Sequence, residues 1–274
     1  MNKYKIIACD LDGTLLNNKS TISRENLAAI KKLLEMDVYF VPCTGRGFSE
    51  LPKELKDNPD VRYAICSNGA VVYDRQVGNV VTNCIANSDM KEIMDILYSY
   101  DAHFTCRHGG KCYVDKAFHG EEFFEFYHIC QPHIRVMCDY GVCLDNFKEF
   151  CYSADEVEAI STIFREVADK TECVKRLRKH EELRIVEIDD YAIEFFNVNA
   201  GKGNALKSLV DLLEVDISET IGMGDSENDI SIVQAAGLGL AVANADDSLK
   251  KVADEVVCSN EEHAVEYVLK HYFL

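Results

Sequence analysis

Residues 5 to 14 read Lys-Ile-Ile-Ala-Cys-Asp-Leu-Asp-Gly-Thr, an apolar run that stops on two carboxylates and a turn glycine. If the chain stays extended there, its side chains alternate faces. Asp10 and Asp12 then share one side and can address a single substrate atom, while Leu11 points into the core. By itself the motif also fits an ordinary strand ending in an Asp-Gly turn. Three further segments supply what a phosphoryl-transfer site would still lack. Val41-Pro42-Cys43-Thr44-Gly45-Arg46 is an apolar strand ending in a hydroxyl and a glycine, and a hydroxyl with exposed backbone N–H groups suits a phosphate oxygen. Asn199-Ala200-Gly201-Lys202-Gly203-Asn204 sets a lysine between two glycines. It opens a helical pattern with Leu206, Leu209, Val210 and Leu213 on one face, and a helix start favours an anion. Gly222-Met223-Gly224-Asp225-Ser226-Glu227-Asn228-Asp229 again runs strand, glycine, carboxylates, then helix. At helical i, i+4 spacing Asp225 and Asp229 would share a face, with the Asn228 amide beside them. Each piece has an ordinary reading as well: Lys202 a solvated helix-start lysine, Thr44 a turn residue, Asp225 an N-cap. Together they fall at the carboxyl ends of expected strands, where open parallel sheets bind ligands.

The elements that must position these residues alternate. Strands are expected near 5–9, 38–42 and 63–66, and a helix near 23–36 with Leu27, Ile30, Leu33 and Leu34 inward. A short helix lies between the second and third strands, and Ala70 to Thr82 reads as a hairpin around Val77-Gly78-Asn79. From about 85 to 192 the character changes to amphipathic helices, such as 89–100 and 155–168, between irregular apolar strands, with aromatics gathered from Phe118 to Tyr127. After Ile193 the alternation resumes, with strands near 220–223, 238–242 and 255–257. The pattern predicts an α/β fold: a doubly wound parallel-sheet, Rossmann-like core made of residues 1–84 and 193–274, interrupted by an α+β insert at 85–192.

In this order the four segments resemble the four motifs of the haloacid dehalogenase superfamily, in particular its Cof-type phosphatases of subclass IIB, whose large cap domain is inserted between the second and third motifs. Ser67-Asn68-Gly69-Ala70, the run Ala236 to Ala245, Ala253-Asp254 and Ser259-Asn260 also resemble recurrent pieces of that family. The chain departs from it at Glu262-His263-Ala264-Val265, where Glu-Asp-Gly-Val is usual, and at Val242, where methionine is commoner.

The resemblance implies a magnesium-dependent phosphatase that hydrolyses small phosphorylated metabolites, sugar phosphates or similar phosphomonoesters, through an aspartyl-phosphate. The magnesium would be held by Asp10, the backbone carbonyl of Asp12, and Asp225. Asp10 is the expected nucleophile and Asp12 the general acid and base, a role that asks for a raised pKa and hence for burial. Thr44, the amides of Leu11 and Gly45, Lys202 and Asn228 would hold the phosphoryl oxygens. Asp229 would stand behind them, orienting Lys202 or a metal-bound water. Two rival readings use similar residues. A phosphomutase returns the phosphoryl group to a second hydroxyl. A receiver-like switch also joins an acceptor Asp, magnesium, Thr and Lys, although it places the acceptor after a later strand.

Composition narrows the partners. A formal net charge of −18 argues against nucleic acid or an anionic membrane surface, and the phosphate must be met by local donors and a cation. The 12 cysteines include no Cys-x-x-Cys pair, and Cys9, Cys43 and Cys66 sit inside apolar strand patterns. They read as small buried hydrophobes in a reducing cytoplasm. Cys106, His108 and Cys112 fit no standard zinc spacing. No secretory signal or membrane span is expected.

Overall fold

The computed structural model describes residues 2–127, 129 and 131–274. The chain forms two compact units, one of residues 1–46, 51–81 and 201–274, the other of residues 47–50 and 82–200.

The first unit is built on a five-stranded sheet in the order Glu255–Val256, Leu238–Ala241, Thr220–Gly224, Ile6–Cys9, Tyr39–Pro42. All of its neighbours run parallel. Ile6–Cys9 lies inside the sheet and is buried throughout. The chain winds first to one side of it and later to the other. The carboxyl ends of Ile6–Cys9, Tyr39–Pro42 and Thr220–Gly224 therefore adjoin at the point where the winding reverses, the usual crevice of such sheets. Helix Arg24–Leu34 is capped by Ser23, whose side chain accepts the Asn26 N–H, and it buries Asn26, Ala29, Ile30 and Leu33. Tyr63–Cys66 forms where expected and starts a separate three-stranded sheet with Val71–Asp74 and Gly78–Thr82.

The second unit holds a six-stranded sheet in the order Leu183–Glu187, Ala192–Asn197, Val157–Phe164, Ala102–His108, Lys111–Asp115, Val142–Leu144, with only the last pair parallel. Helices Asn87–Leu97, Phe147–Ser153 and Val167–Leu177 share one core with Phe104, Cys106, Ile160, Ile193 and Phe195. Residues one step out of phase, Ile163 and Ala192, join Cys112 and Val114 in a second core with Phe124, Tyr127, Ile129 and Met137. The sheet is thus covered on both faces.

Two expectations are corrected. Residues 155–168 are not a helix: Val157–Phe164 is a strand buried at all eight positions, and the helix follows at Val167–Leu177. Its β-branched Val, Ile, Thr and Ile fit a pleated interior strand, and burial on both faces erases the alternation that would have announced it. The expected boundary before residue 193 also falls inside strand Ala192–Asn197, which pairs with Val157–Phe164 and belongs wholly to the second unit. Residues Gly47–Glu50 join that unit too. Glu50, fully buried, meets the Arg107 guanidinium at 3.1 Å, and Arg107 meets Glu194 at 2.6 Å.

Ile160 stands 1% exposed in the middle of this sheet. Ile160→Ala is expected to destabilise the second unit by about 2–5 kcal/mol through a core cavity, measured by urea unfolding, whereas a position on a solvated helix would cost a small fraction of that.

Candidate active site

Strand Ile6–Cys9 ends just before Asp10, and the chain turns at once: the amides of Thr14, Leu15 and Leu16 all point to the Leu11 carbonyl, at 3.3, 3.1 and 2.8 Å. The turn parts the two carboxylates that an extended chain would have put together. Asp10 is buried and accepts from Lys202 Nζ at 2.7 Å. Asp12 has a side chain 56% exposed and is gripped from two directions by Arg46, whose Nε and Nη2 reach its oxygens at 2.8 and 2.5 Å. Leu11 is fully buried, its side chain in the core as expected.

Lys202 opens helix Lys202–Leu213, behind Gly201. Its ammonium is buried between Asp10 and Asp229, at 2.7 and 2.5 Å. Burial works against that charge, but the two facing carboxylates more than offset it and hold the ammonium above its ordinary pKa. Asp229 is fully occupied: one oxygen takes Lys202, and the other accepts the N–H groups of Asp225 and Ser226 at 3.0 and 3.1 Å.

These last bonds correct the helical reading of the fourth segment. Asp225 follows strand Thr220–Gly224 in a bend, residues Glu227–Asp229 form a 3₁₀ turn, and the α-helix begins only at Ile230. Asp225 and Asp229 meet because Asp229 reaches back to cap the bend, not because they share a helical face. Asn228 is exposed, and its Nδ2 donates to the side-chain Oδ1 of Asn68 at 3.2 Å.

The second segment is shaped by a left-handed turn. Ser67, Asn68 and Gly69 have φ of 50°, 55° and 86°. Their amides bind back to it, Ser67 N–H to the Arg46 carbonyl and Asn68 N–H to that of Thr44. Thr44 is 1% exposed and its hydroxyl accepts the Arg46 N–H at 3.1 Å, which leaves its own O–H to donate. Gly45 abuts the Asn68 amide, 3.1 Å from where its Cβ would be. A Cβ on Gly69 would fall on the Gly201 carbonyl and stand 2.8 Å from Lys202 N, so only glycine lets this turn touch the start of the lysine helix.

The structure thus brings Asp10, Lys202, Asp225 and Asp229 together and links Asn228, Thr44 and Gly45 through Asn68. Arg46, Asn68 and Thr14 are participants that the sequence reading passed over. Arg46 and Asn68 both lie inside glycine-flanked segments already singled out, and a charged or amide side chain beside such a turn was the available signal.

The electrostatics ask for a cation. Burial first and the Asp229 charge second raise Asp10 well above the carboxylate range, against the pull of Lys202. Asp225 is pushed up to about 6, again by burial first and Asp229 second. Asp10 Oδ2 is buried and has no hydrogen-bond partner among the described residues. One oxygen each of Asp10, Asp225 and Asp229 lie within 4.8 Å of one another, the one such group among the described residues; Cys106, His108 and Cys112 form none. Three carboxylates against one ammonium leave two negative charges, which a divalent ion balances, and an all-oxygen donor set suits a hard one. The residues present therefore fit magnesium.

The family model described as haloacid dehalogenase-like hydrolase matches residues 7–269. The Bacillus subtilis phosphatase YwpJ is 28% identical over 97% of this chain and 99% of its own. The 5-amino-6-(5-phospho-D-ribitylamino)uracil phosphatase YwtE of the same organism is 30% identical over 97% and 96%. A solved haloacid dehalogenase-like hydrolase from B. subtilis, 28% identical, superposes with a TM-score of 0.78 over 98% of this chain and 100% of that one.

Lys202→Met is expected to lower stability by about 3–5 kcal/mol, because it strands two buried carboxylates without a cation. Urea unfolding in the presence of chelator measures this; an unchanged midpoint would show that the lysine is not part of a buried ion pair.

Proposed function

The chain belongs to the haloacid dehalogenase-like hydrolase family, and from that premise we propose that it is a magnesium-dependent phosphatase of small phosphomonoesters acting through a phosphorylated Asp10. The observation that carries the reading is the buried Lys202 held between Asp10 and Asp229, with the second Asp10 oxygen left without a hydrogen-bond partner among the described residues.

Magnesium held by Asp10, the Asp12 carbonyl and Asp225 would cancel the repulsion between a carboxylate and a phosphate dianion. The protein's own groups do the rest. Asp10 attacks phosphorus as the bond to the leaving oxygen breaks, and the carboxylate becomes an acyl phosphate. Lys202, kept charged by its two carboxylates, stands beside the attacking group, where it stabilises charge on the phosphoryl oxygens. Asp229 points Lys202 at Asp10 and cannot itself leave, since backbone amides hold its other oxygen. Thr44 offers its free O–H, and Asn228 its amide, to the same oxygens. Asp12 gives the leaving oxygen its proton and later takes one from the water that hydrolyses the acyl phosphate. To do so it must first be released from Arg46. The name of the YwtE relative supports a small phosphorylated metabolite of the sugar or polyol kind as substrate.

Phosphate release from a panel of phosphorylated metabolites should require a divalent cation, and full turnover after exhaustive chelation would remove the metal from the reading. Phosphate passing to a second hydroxyl, with none released, would make the enzyme a mutase, and the absence of turnover would favour a phosphoacceptor switch. Lys202→Ala is expected to slow turnover by about a hundredfold.

The two aspartates should differ in kind. Asp10→Asn has no nucleophile and forms no phosphoenzyme. Asp12→Asn keeps the nucleophile, so with a nitrophenyl phosphate, whose leaving group needs no acid, it should acquire phosphate and hydrolyse it slowly. Intact-mass spectrometry reads both, and an adduct on Asp10→Asn alone would reverse the roles.

A further inference from the structure

The run ending at Asn244-Ala245 and the pair Ser259-Asn260 hold none of the proposed cation or phosphate ligands. Both converge on the turn that carries Asp12. Asn244 Nδ2 donates to the Gly13 carbonyl at 2.8 Å, and its Oδ1 accepts the Asn260 N–H at 2.9 Å. Asn260, 6% exposed, sends its own side-chain amide to the Leu16 carbonyl at 2.9 Å. The neighbouring Glu261 accepts the Asn18 N–H at 2.6 Å, and the Asp246 N–H donates to the Asp225 carbonyl at 2.8 Å.

The order of these bonds fixes the direction of the Asn244 amide. A backbone N–H can only donate, so the oxygen end of Asn244 must face Asn260 and its nitrogen end must face Gly13. The consequence passes along the backbone. Peptide groups are planar, and the plane bearing the Gly13 carbonyl is joined at the Gly13 Cα to the plane bearing the Asp12 carbonyl. Gly13 sits at φ +82°, and a Cβ there would stand 2.7 Å from Asp225 Cγ. The turn is therefore pressed directly against Asp225, whose Oδ1 also takes the Thr14 hydroxyl at 3.3 Å. Glycine at this φ could turn freely. Pinning its carbonyl from the far side removes that freedom.

We propose that Asn244 and Asn260 form a brace that holds the Asp12 carbonyl in place against Asp225, and that both are positioning residues for the divalent cation. The proposal rests on the reading that this carbonyl and Asp225 bind the metal. Both asparagines act through the backbone of residues 12 to 16.

Calorimetric titration of the metal-free protein with magnesium tests the brace without any turnover. Asn244→Ala removes the donor to Gly13, and Asn244→Ser keeps an acceptor for the Asn260 N–H but is too short to reach Gly13. Both are expected to weaken magnesium binding by about tenfold or more, the usual cost of losing a group that orients a metal ligand, with the metal-free melting temperature and circular dichroism unchanged because Asn244 is exposed. Asp225→Ala, titrated alongside, separates the two readings. If it loses binding while both Asn244 variants bind like the parent, the brace is wrong and the metal site stands. If Asp225→Ala binds like the parent, the metal site is misassigned and the brace falls with it. An affinity loss in the Asn244 variants accompanied by melted secondary structure would likewise overturn the proposal.

Discussion

A lysine ammonium with no solvent exposure, set between two carboxylates at 2.7 and 2.5 Å, is the interaction on which the rest of the site depends. Taking such a group out of water costs several kcal/mol, and only partners in near-ideal geometry offset the penalty. Asp229 meets that demand by being immobile, with one oxygen tied to the backbone of residues 225 and 226 and the other to the lysine. Asp10 meets it with one oxygen only, and its other has no hydrogen-bond partner among the described residues. The cluster keeps a surplus of negative charge in a dry place. That surplus is tolerable if it is the recognition element for a divalent ion, and it reconciles a strongly acidic chain with an anionic substrate.

Close backbone approach makes the geometry possible. Gly13 lies against Asp225 and Gly69 against the start of the lysine helix, each at a positive φ and each where a Cβ would collide. The parallel sheet brings three strand ends to one crevice, and glycine lets the turns that follow them come within hydrogen-bonding reach. The left-handed run Ser67-Asn68-Gly69 then joins the second segment to the fourth through the Asn68 side chain. Strand order, turn chemistry and charge placement are three aspects of one arrangement.

The core was legible in the sequence because its signals are local. The strands Ile6–Cys9, Tyr39–Pro42 and Thr220–Gly224 are short apolar runs that give way to Asp, Thr or Gly, and the four segments that carry polar groups are all flanked by glycine. What escaped was not local. The grip of Arg46 on Asp12 spans 34 positions, and nothing near either residue announces it. Spacing of i, i+4 between Asp225 and Asp229 fits a helix and equally fits a capped bend, so periodicity could not choose between them. Strand Val157–Phe164 lies between two covered faces and has no alternation to read. Its apolar content made a helix face look plausible when the residues were packing in both directions.

The short excursion of Gly47–Glu50 bears on how far the insert is a cassette. The chain passes between the two compact units four times, since this segment leaves the first unit and returns before the main crossing near residue 82. Glu50 carries the buried charge that answers Arg107, 57 positions away. A transplant of the continuous stretch alone would leave an arginine interior to the graft short of one counter-ion, and in the recipient a foreign loop in place of Glu50. Recombination among relatives is thereby constrained: the unit of exchange is a discontinuous pair of segments, and loop and insert must be inherited together.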